Sequence, residues 1–487
     1  MNTTKKSVSD DLIVDRFLSR YGRGSYVTPR SFLPDQHLLY VRCEDALYVY
    51  ENGAFVPFDD EHRLVMSLID FLKGERDQFS PDPFDESLLP LHPEFDINMR
   101  KVRGIAEILR TKIALSNAVD TINSSFISFK NNVTVDVLKS PPQIHQSSPL
   151  LKCFTSLPVD YTPETQPPVR FLQFLNQILV DEVTKEPDPQ LIAIVQEMFG
   201  YCLLPTISAQ TAFFLIGSGA NGKSTLLNVL SSFFDFKAIS AIRLSDMTGS
   251  SFMLSELVGK QLNIVNEEES KYVRVDMLKH LISGEPVIAM RKYRSPISFV
   301  PKTKFLWATN DVPSFDKIDA ALRRRLIFIP FHRSIPINER DPELTKKLKE
   351  ELVPILFWAL EGAKRLMENT FRFSRSISSE SMTKSVRLDR FPSLEFIEEQ
   401  YEITDFEDDV VATMNLYDRF RLWCDKNGFA KCSVKTFSKQ IHDFDPRIKA
   451  VRKMVMGHQS MMKTNLKPRL DAEPIFSEYA SSSSQEN

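Results

Sequence analysis

The chain has 487 residues, 42% hydrophobic and 26% charged, and its 61 lysines and arginines nearly balance 64 acidic residues for a formal charge of −3. That length suits roughly two to four domains. No uninterrupted apolar run of about 18 residues occurs, so no membrane span is expected, and the near-neutral charge argues against a general nucleic-acid binder unless its basic groups are gathered on one module or in a channel.

The first fifteen residues, MNTTKKSVSDDLIVD, lack the apolar core and cleavage site of a secretory signal. Cys43, Cys153, Cys202, Cys424 and Cys432 form no CxxC pair and have no histidine at metal spacing, and read as buried or incidental thiols of a reducing compartment. Residues 1–96 read as a small mixed α/β region, in which LLYVRCEDALYVYENGAFVPF (38–58) alternates apolar and polar residues around a hairpin turn at Asn52-Gly53. Its acidic residues, among them Asp10, Asp11, Asp59 and Asp60, make no paired-carboxylate strand of the kind a two-metal polymerising site needs. Primase catalysis is therefore not expected.

Residues 97–205 are expected to be mostly helical. Within them, 97–118 has helical spacing and is basic at Arg100, Lys101, Arg103, Arg110 and Lys112, and 125–138 is strand-like. The Pro-rich stretch 141–168 reads as irregular surface chain, followed by helices near 169–179 and 190–204. Residues 206–340 read as an α/β nucleotide-binding core, 341–390 as a helical extension and Ser/Arg-rich linker, 391–470 as a small domain with a basic end, and 471–487 as a disordered tail.

The core opens with FFLIGSGANGKSTLLNVL (213–230), which fits G-x-x-x-x-G-K-[ST] between a buried-strand run and a helix start. Gly217, Ser218, Gly219, Ala220, Asn221 and Gly222 would turn backbone N–H groups onto a phosphate. Lys223 would reach the β- and γ-phosphates, and the hydroxyls of Ser224 and Thr225 open the helix, Ser224 as a Mg²⁺ ligand. GKQLNIVNEEES (259–270) is a strand ending in Asn266, Glu267, Glu268 and Glu269; Asn266 stands where many such ATPases have a metal-binding Asp, so Glu267 is the first candidate carboxylate for water and metal, and Glu268 the second. KTKFLWATND (302–311) ends in Asn310, whose amide could contact a γ-phosphate or attacking water. AALRRRLIFIPF (320–331) sets three arginines before a strand, suited to a subunit edge facing a neighbour's nucleotide; Arg324 and Arg325 are preferred without a basis for separating them from Arg323. Between these, Arg291-Lys292-Tyr293-Arg294 reads first as a basic, aromatic hairpin tip for a nucleic-acid strand, with an ordinary charged turn as the lesser alternative.

Together GSGANGKST, LNIVNEEE, LKHLISGEPVIAMRKYRSPISFVPKTKFLWATNDVPSF and ALRRRLIFIPF resemble the ordered motifs of superfamily 3 helicases, in particular the phage and plasmid primase-helicases related to the poxvirus primase-helicase. FISFKNNVTVDV, LPVDYTPETQPPVRFLQFL and IVQEMFGYCLLP resemble the helical domain that precedes the core in that family, and NLYDRFRLWCDKNGF and VKTFSKQI its C-terminal winged helix, so the likeness spans roughly 40–465. The resemblance implies an α/β protein: a P-loop, AAA+-like core with a helical N-terminal region and a C-terminal winged-helix domain. It implies ATP and Mg²⁺ as cofactors, Glu267 in the Walker B role, Asn310 as sensor 1, a finger at Arg324 or Arg325, and Lys292 as the strand-tracking contact. It also implies a hexameric homo-oligomeric ring moving 3′→5′ on single-stranded and forked DNA in replication of a phage, plasmid or other mobile element. A separate primase, polymerase or origin-binding partner would accompany it, with no membrane, in the cytoplasm of a bacterial, archaeal or phage-host cell. On the C-terminal module, Lys435, Lys439, Arg452 and Lys453 are candidate DNA contacts within a basic excess that includes Arg447, Lys449, Lys463 and Lys467. Two other readings stay open: an origin-binding or melting factor that moves little, and a nucleotide-gated assembly scaffold.

Overall fold

The computed structural model describes residues 9–21, 38–41, 46–57, 61–77, 97–114, 125–139, 141–163, 166–268, 272–292, 294–315, 320–455 and 458–469. Asp59, Asp60, Glu269, Tyr293 and the tail 471–487 lie outside them, as do the side chains of Arg294 and Arg323.

The chain begins with α1 (Asp10–Tyr21), β1 (Leu38–Val41), β2 (Ala46–Glu51), β3 (Ala54–Pro57), α2 (Glu61–Asp77) and α3 (Met99–Lys112). β1, β2 and β3 form an antiparallel sheet, and the expected turn joins β2 to β3 with Asn52 at φ 51° and Gly53 at φ 83°, the left-handed pair a type I′ turn requires. The helices share an apolar cluster that includes Phe17, Leu68, Phe71 and Leu109. The basic residues of α3 are partly spent on packing: Lys101 meets Asp10 at 2.6 Å, and Lys112 meets Asp11 and Asp15 at 3.0 and 2.7 Å.

The segment expected to be mostly helical carries a sheet. β4 (Phe126–Phe129), β5 (Val133–Asp136), β6 (Gln143–Gln146) and β7 (Ser156–Leu157) are ordered β6-β5-β4-β7. Two of these strands fall in the Pro-rich stretch read as irregular. Pro141 and Pro142 directly precede β6, an edge strand with mostly exposed side chains, where a missing N–H leaves no ladder bond unmade. Helices α4 (Val169–Ile178) and α5 (Pro189–Leu203) follow; Asp188 caps α5, its carboxylate accepting from the N–H groups of Gln190 and Leu191.

The central region comprises β8 (Ala212–Ile216), α6 (Lys223–Ser231), β9 (Ile239–Ser240), α7 (Leu244–Gly249), β10 (Leu262–Glu268), β11 (Tyr272–Val273), α8 (Val275–Ser283), β12 (Val287–Arg291), β13 (Arg294–Phe299), β14 (Lys304–Thr309), β15 (Ser314–Phe315), α9 (Ala320–Arg323) and β16 (Leu326–Pro330). Five strands pair in parallel in the order β16-β8-β14-β10-β9. Both faces are covered: Phe213, Leu215, Leu262, Ile264 and Leu306 pack with Leu226 and Leu227 of α6, and Phe214, Val265 and Trp307 pack with α7 and α8. That double burial is why AFFLI and KFLWAT read as nearly unbroken apolar runs.

Next come α10 (Leu344–Lys349), α11 (Leu352–Glu368) and α12 (Ile377–Arg390). The Ser/Arg-rich segment read as a linker is therefore largely helix. Its serines anchor it: the Ser378 hydroxyl donates to Asp188 at 2.6 Å and the Ser376 hydroxyl accepts from the Ser379 N–H. The last elements are α13 (Pro392–Gln400), β17 (Tyr401–Ile403), β18 (Val411–Ala412), α14 (Thr413–Asn427), α15 (Val434–Phe444), β19 (Ala450–Val455), β20 (His458–Lys463) and β21 (Leu466–Pro468), built around Phe396, Phe420, Trp423 and Phe437. Among the described residues, no helix is long and apolar enough to cross a membrane.

Candidate nucleotide site

The loop 217–222 leaves the sheet at the C-terminal end of β8 and delivers the chain into α6. It is fastened on both sides: the Gly217 N–H donates to the Thr309 carbonyl of β14, and the Phe331 N–H donates to the Ile216 carbonyl. A Cβ on Gly217 would stand 2.5 Å from the Asn221 side chain and 2.6 Å from the Phe331 carbonyl, so only glycine fits. Gly222 has φ +88°, the left-handed geometry that turns the chain into the helix. Ala220 also lies at positive φ, 60°, and its carbonyl accepts from the Ile335 N–H at 2.7 Å.

Asn221 and Lys223 form a clamp across this loop. The Asn221 amide donates to the Ser218 carbonyl at 2.7 Å, while the Lys223 ammonium donates to the Gly217 carbonyl and to Asn221 Oδ1. Lys223 is only 6% exposed, and desolvation holds its pKa below the usual lysine value. An ammonium folded onto two neutral acceptors is a cation without a counter-anion, in a loop whose other members are exposed at Ser218, Gly219 and Ala220. Ser224 is exposed in the first turn of α6 and Thr225 is half-buried beside it.

The strand order brings the other candidates to the same edge. Ile216 pairs with Thr309, and Thr309 with Glu268, so the ends of β8, β14 and β10 are level. Asn310, exposed, follows Thr309 directly and so stands between the loop and the acidic strand end.

The two glutamates separate. A bulge in β10 between Val265 and Glu268 sets two residues, Asn266 and Glu267, against the one residue Ala308. Ala308 packs in the α6 cluster, so Asn266 and Glu267 fall on the α6 face, both exposed. Glu268 pairs with Thr309 on the other face, is 6% exposed, and its carboxylate accepts from the Leu244 N–H at the start of α7 at 2.9 Å.

The arginines separate as well. Arg325 is 9% exposed; its guanidinium donates to Ser283 Oγ at 2.9 Å and to the Ala321 carbonyl at 2.7 Å. Arg324 is exposed. Both lie at the opposite edge of the sheet from the loop, since Leu326 pairs with Ala212 at the start of β8.

β12 and β13 form an antiparallel hairpin in which Arg291 pairs with Arg294 and Lys292, exposed, stands in the turn. Arg291 is folded back, its guanidinium donating to the Ser295 carbonyl at 3.2 Å. On the C-terminal module the basic excess is smaller in three dimensions than along the chain. Arg447 pairs with Asp405 and Asp445, Lys449 with Glu407 and Lys453 with Asp408, and Lys463 is buried, which lowers its pKa. Lys435, Lys439 and Arg452 remain exposed.

A mixed α/β chain with a parallel sheet, a glycine-rich loop, an acidic strand end and an intervening amide is the class that this geometry defines. Residues 215–325 match a family described as one of unknown function, DUF5906. A protein of Acanthamoeba polyphaga mimivirus named "Putative helicase" is 25% identical over 274 residues, which are 51% of this chain and 28% of the mimivirus protein, so the chain matches little more than a quarter of that relative's length. Among solved structures, the chain is similar to the apo NrS-1 C-terminal region (305-718), at 11% identity and a TM-score of 0.46 over 95% of this chain and 100% of that one. An A-form apo structure of the same region gives 12% identity and a TM-score of 0.44 over 88% and 95%.

Proposed function

We propose that the chain is an ATP-hydrolysing DNA helicase subunit of the superfamily 3 type, with a P-loop, AAA+-like core and a winged-helix C-terminal module. One observation carries the reading: the order β16-β8-β14-β10 sets Asn310 between the Gly217–Ser224 loop and Glu267. A γ-phosphate held by the loop would then have the Asn310 amide one strand away and the Glu267 carboxylate one strand further on the same side. Likeness in sequence to a mimivirus protein named a helicase supports the same class.

In this reading Lys223 exchanges its contacts with the Gly217 carbonyl and Asn221 for the phosphates, which supply the missing counter-charge. Glu267 orients the attacking water, and Asn310 holds that water or the γ-phosphate. The donors present fit Mg²⁺: the exposed Ser224 hydroxyl and the Glu267 carboxylate, directly or through water, would hold the ion together with substrate oxygens, all of them hard oxygen ligands. The ion would neutralise charge on the phosphate oxygens. Arg324 acts on the nucleotide of the neighbouring subunit in a homo-oligomeric ring, hexameric by resemblance, and Lys292 tracks the strand, moving 3′→5′. Lys435, Lys439 and Arg452 hold duplex or forked DNA, and the ring works in the compartment where a phage, plasmid or other mobile element replicates, alongside a separate primase or polymerase.

The test is ATP hydrolysis with and without single-stranded DNA, for wild type, Glu267→Gln and Lys292→Ala. Stimulation by DNA in wild type, hydrolysis lost in the first variant and stimulation alone lost in the second are expected. Hydrolysis indifferent to bound DNA in an assembled ring would overturn the motor reading in favour of a nucleotide-gated scaffold.

A further inference from the structure

A cavity of about 500 Å³ lies at the end of the sheet away from the glycine-rich loop. Its walls include Lys260 and Gln261 before β10 and Lys304 at the start of β14, whereas the glycine-rich loop follows the end of β8. At about 3.3 Å per residue, β10 alone separates the two ends by about 20 Å. Distant parts of the chain complete the enclosure, among them the β2–β3 turn, residues 154–158 and the segment after β13.

The charge of this cavity is one-sided. Lys130, Lys237, Lys260, Lys302 and Lys304 line it against two carboxylates, Glu51 and Asp235. Asp235 is engaged locally, its carboxylate accepting from the Lys237 N–H at 2.8 Å. Lys304 is buried beside Lys302, and desolvation with that like charge brings its pKa down to about 8, its ammonium resting on the Leu204 carbonyl and over the Tyr201 ring. The Lys260 ammonium donates to the Lys237 carbonyl at 2.6 Å, a neutral acceptor, and meets no carboxylate among the described residues. Lys130 and Lys237 are exposed and Lys260 half-buried, so the hollow carries a local excess of positive charge that an entering anion would offset.

A second feature narrows the anion. The Gln261 side chain donates its amide N–H to the Phe154 carbonyl at 3.1 Å, which fixes its orientation, and leaves its buried Oε1 without a donor among the described residues. An inorganic phosphate at neutral pH has few donors for such an acceptor, whereas a nucleotide carries base N–H or sugar O–H groups as well as phosphate oxygens. The volume lies within the range of about 300–1,000 Å³ typical of small-ligand sites, and Phe154 and Tyr48 add aromatic surface.

We infer that this cavity is a second nucleotide-binding site, separate from the glycine-rich loop, in which lysines take the phosphate and Gln261 takes a donor from the base or sugar. The ligand is a free mononucleotide or one nucleotide of a bound strand. This goes beyond the motor reading and does not depend on it.

The test uses the full chain carrying Lys223→Ala, which removes the phosphate contact at the glycine-rich loop. Two probes are titrated by fluorescence anisotropy: a fluorophore-labelled dAMP and a labelled ten-nucleotide oligo-dT. Each is compared in Lys223→Ala alone, with Lys237→Glu and Lys260→Glu added, and with Lys349→Glu added as an equal kind of charge reversal outside the cavity. Binding by Lys223→Ala that weakens by about tenfold or more with the cavity reversals, but not with Lys349→Glu, is expected. Binding of dAMP would assign a free nucleotide, and binding of oligo-dT alone a strand segment. A thermal midpoint unchanged in the doubly reversed protein shows that the loss is not unfolding. Failure of both probes to bind Lys223→Ala, or binding indifferent to the cavity reversals, overturns the inference.

Discussion

At the scale of single residues, neighbours of the same type have different surroundings. Glu267 and Glu268 are adjacent, yet the β10 bulge sends one to the α6 face and the other onto the Leu244 N–H. Glu267→Gln should lower hydrolysis by about 10²–10³, within the range for a positioned acid–base group, and leave stability and nucleotide binding unchanged. Glu268→Ala should instead destabilise the fold by about 1–3 kcal/mol in urea unfolding, because a buried N–H loses its acceptor. If the first variant hydrolyses normally and the second does not, the carboxylate assignment is reversed. Lys304 makes a pH-dependent case. Its folded pKa of about 8 lies below the ordinary lysine value of 10.5, so between those values the unfolded chain binds more protons and stability rises with pH. Below about pH 8 the full cost of the buried charge is present. Lys304→Met should flatten that rise and raise stability at pH 7 by up to about 3 kcal/mol, partly offset by the Leu204 carbonyl losing its donor. A slope between pH 8 and 10 unaltered by the substitution would show that Lys304 is not its source.

At the scale of elements, the contact of α5 with α11 depends on two glycines. A Cβ on Gly200 would fall 2.4 Å from the Ala363 nitrogen, and one on Gly362 would fall 2.4 Å from the Gln196 carbonyl. Both obstacles are backbone, so the helices must part; Gly362→Ala should cost about 1–3 kcal/mol in denaturant unfolding. Little or no loss would mean that the pair packs less closely. Such glycines show how legibility divides. The loop 217–224, the parallel strands and the hairpin were readable because each is a local pattern: a spacing, an apolar run, an alternation. In the sheet β4–β7 the strand character of 125–138 was readable, whereas β6 and β7 were not, because they are four and two residues long and β6 is an edge behind two prolines. Helix α12 was missed because serines that weaken a helix in solution here cap it and reach Asp188, a partner far back in the chain. Likewise RRR gave no basis for choosing among three arginines, and the choice between Arg324 and Arg325 came from Ser283 and Ala321, contacts no spacing reveals. Local patterns were legible; partners brought together by folding were not.

At the scale of the whole molecule, the position of Arg324 bears on assembly. It precedes β16 at the start of the sheet, while its own loop follows the end of β8; five residues of strand, about 16 Å, stand between them. If the loop holds a nucleotide, as proposed, an exposed guanidinium at that edge is out of its reach and could meet a neighbour's only across a subunit junction. Arg324→Ala should therefore lower hydrolysis by about 10³ with nucleotide binding retained, whereas Arg325→Ala should act on stability by freeing Ser283 and the Ala321 carbonyl. The discriminating measurement mixes two inactive proteins, Arg324→Ala and Lys223→Ala, dissociated and reassembled together. Where an intact loop from one meets an intact arginine from the other, a complete site forms; random assembly of equal amounts makes about a quarter of junctions complete. Recovered hydrolysis in the mixture, absent from either protein alone, is the expected result. No recovery, with mixed assemblies demonstrated by a tag on one variant, would place the arginine's action within its own subunit and remove the main physical reason for a closed ring.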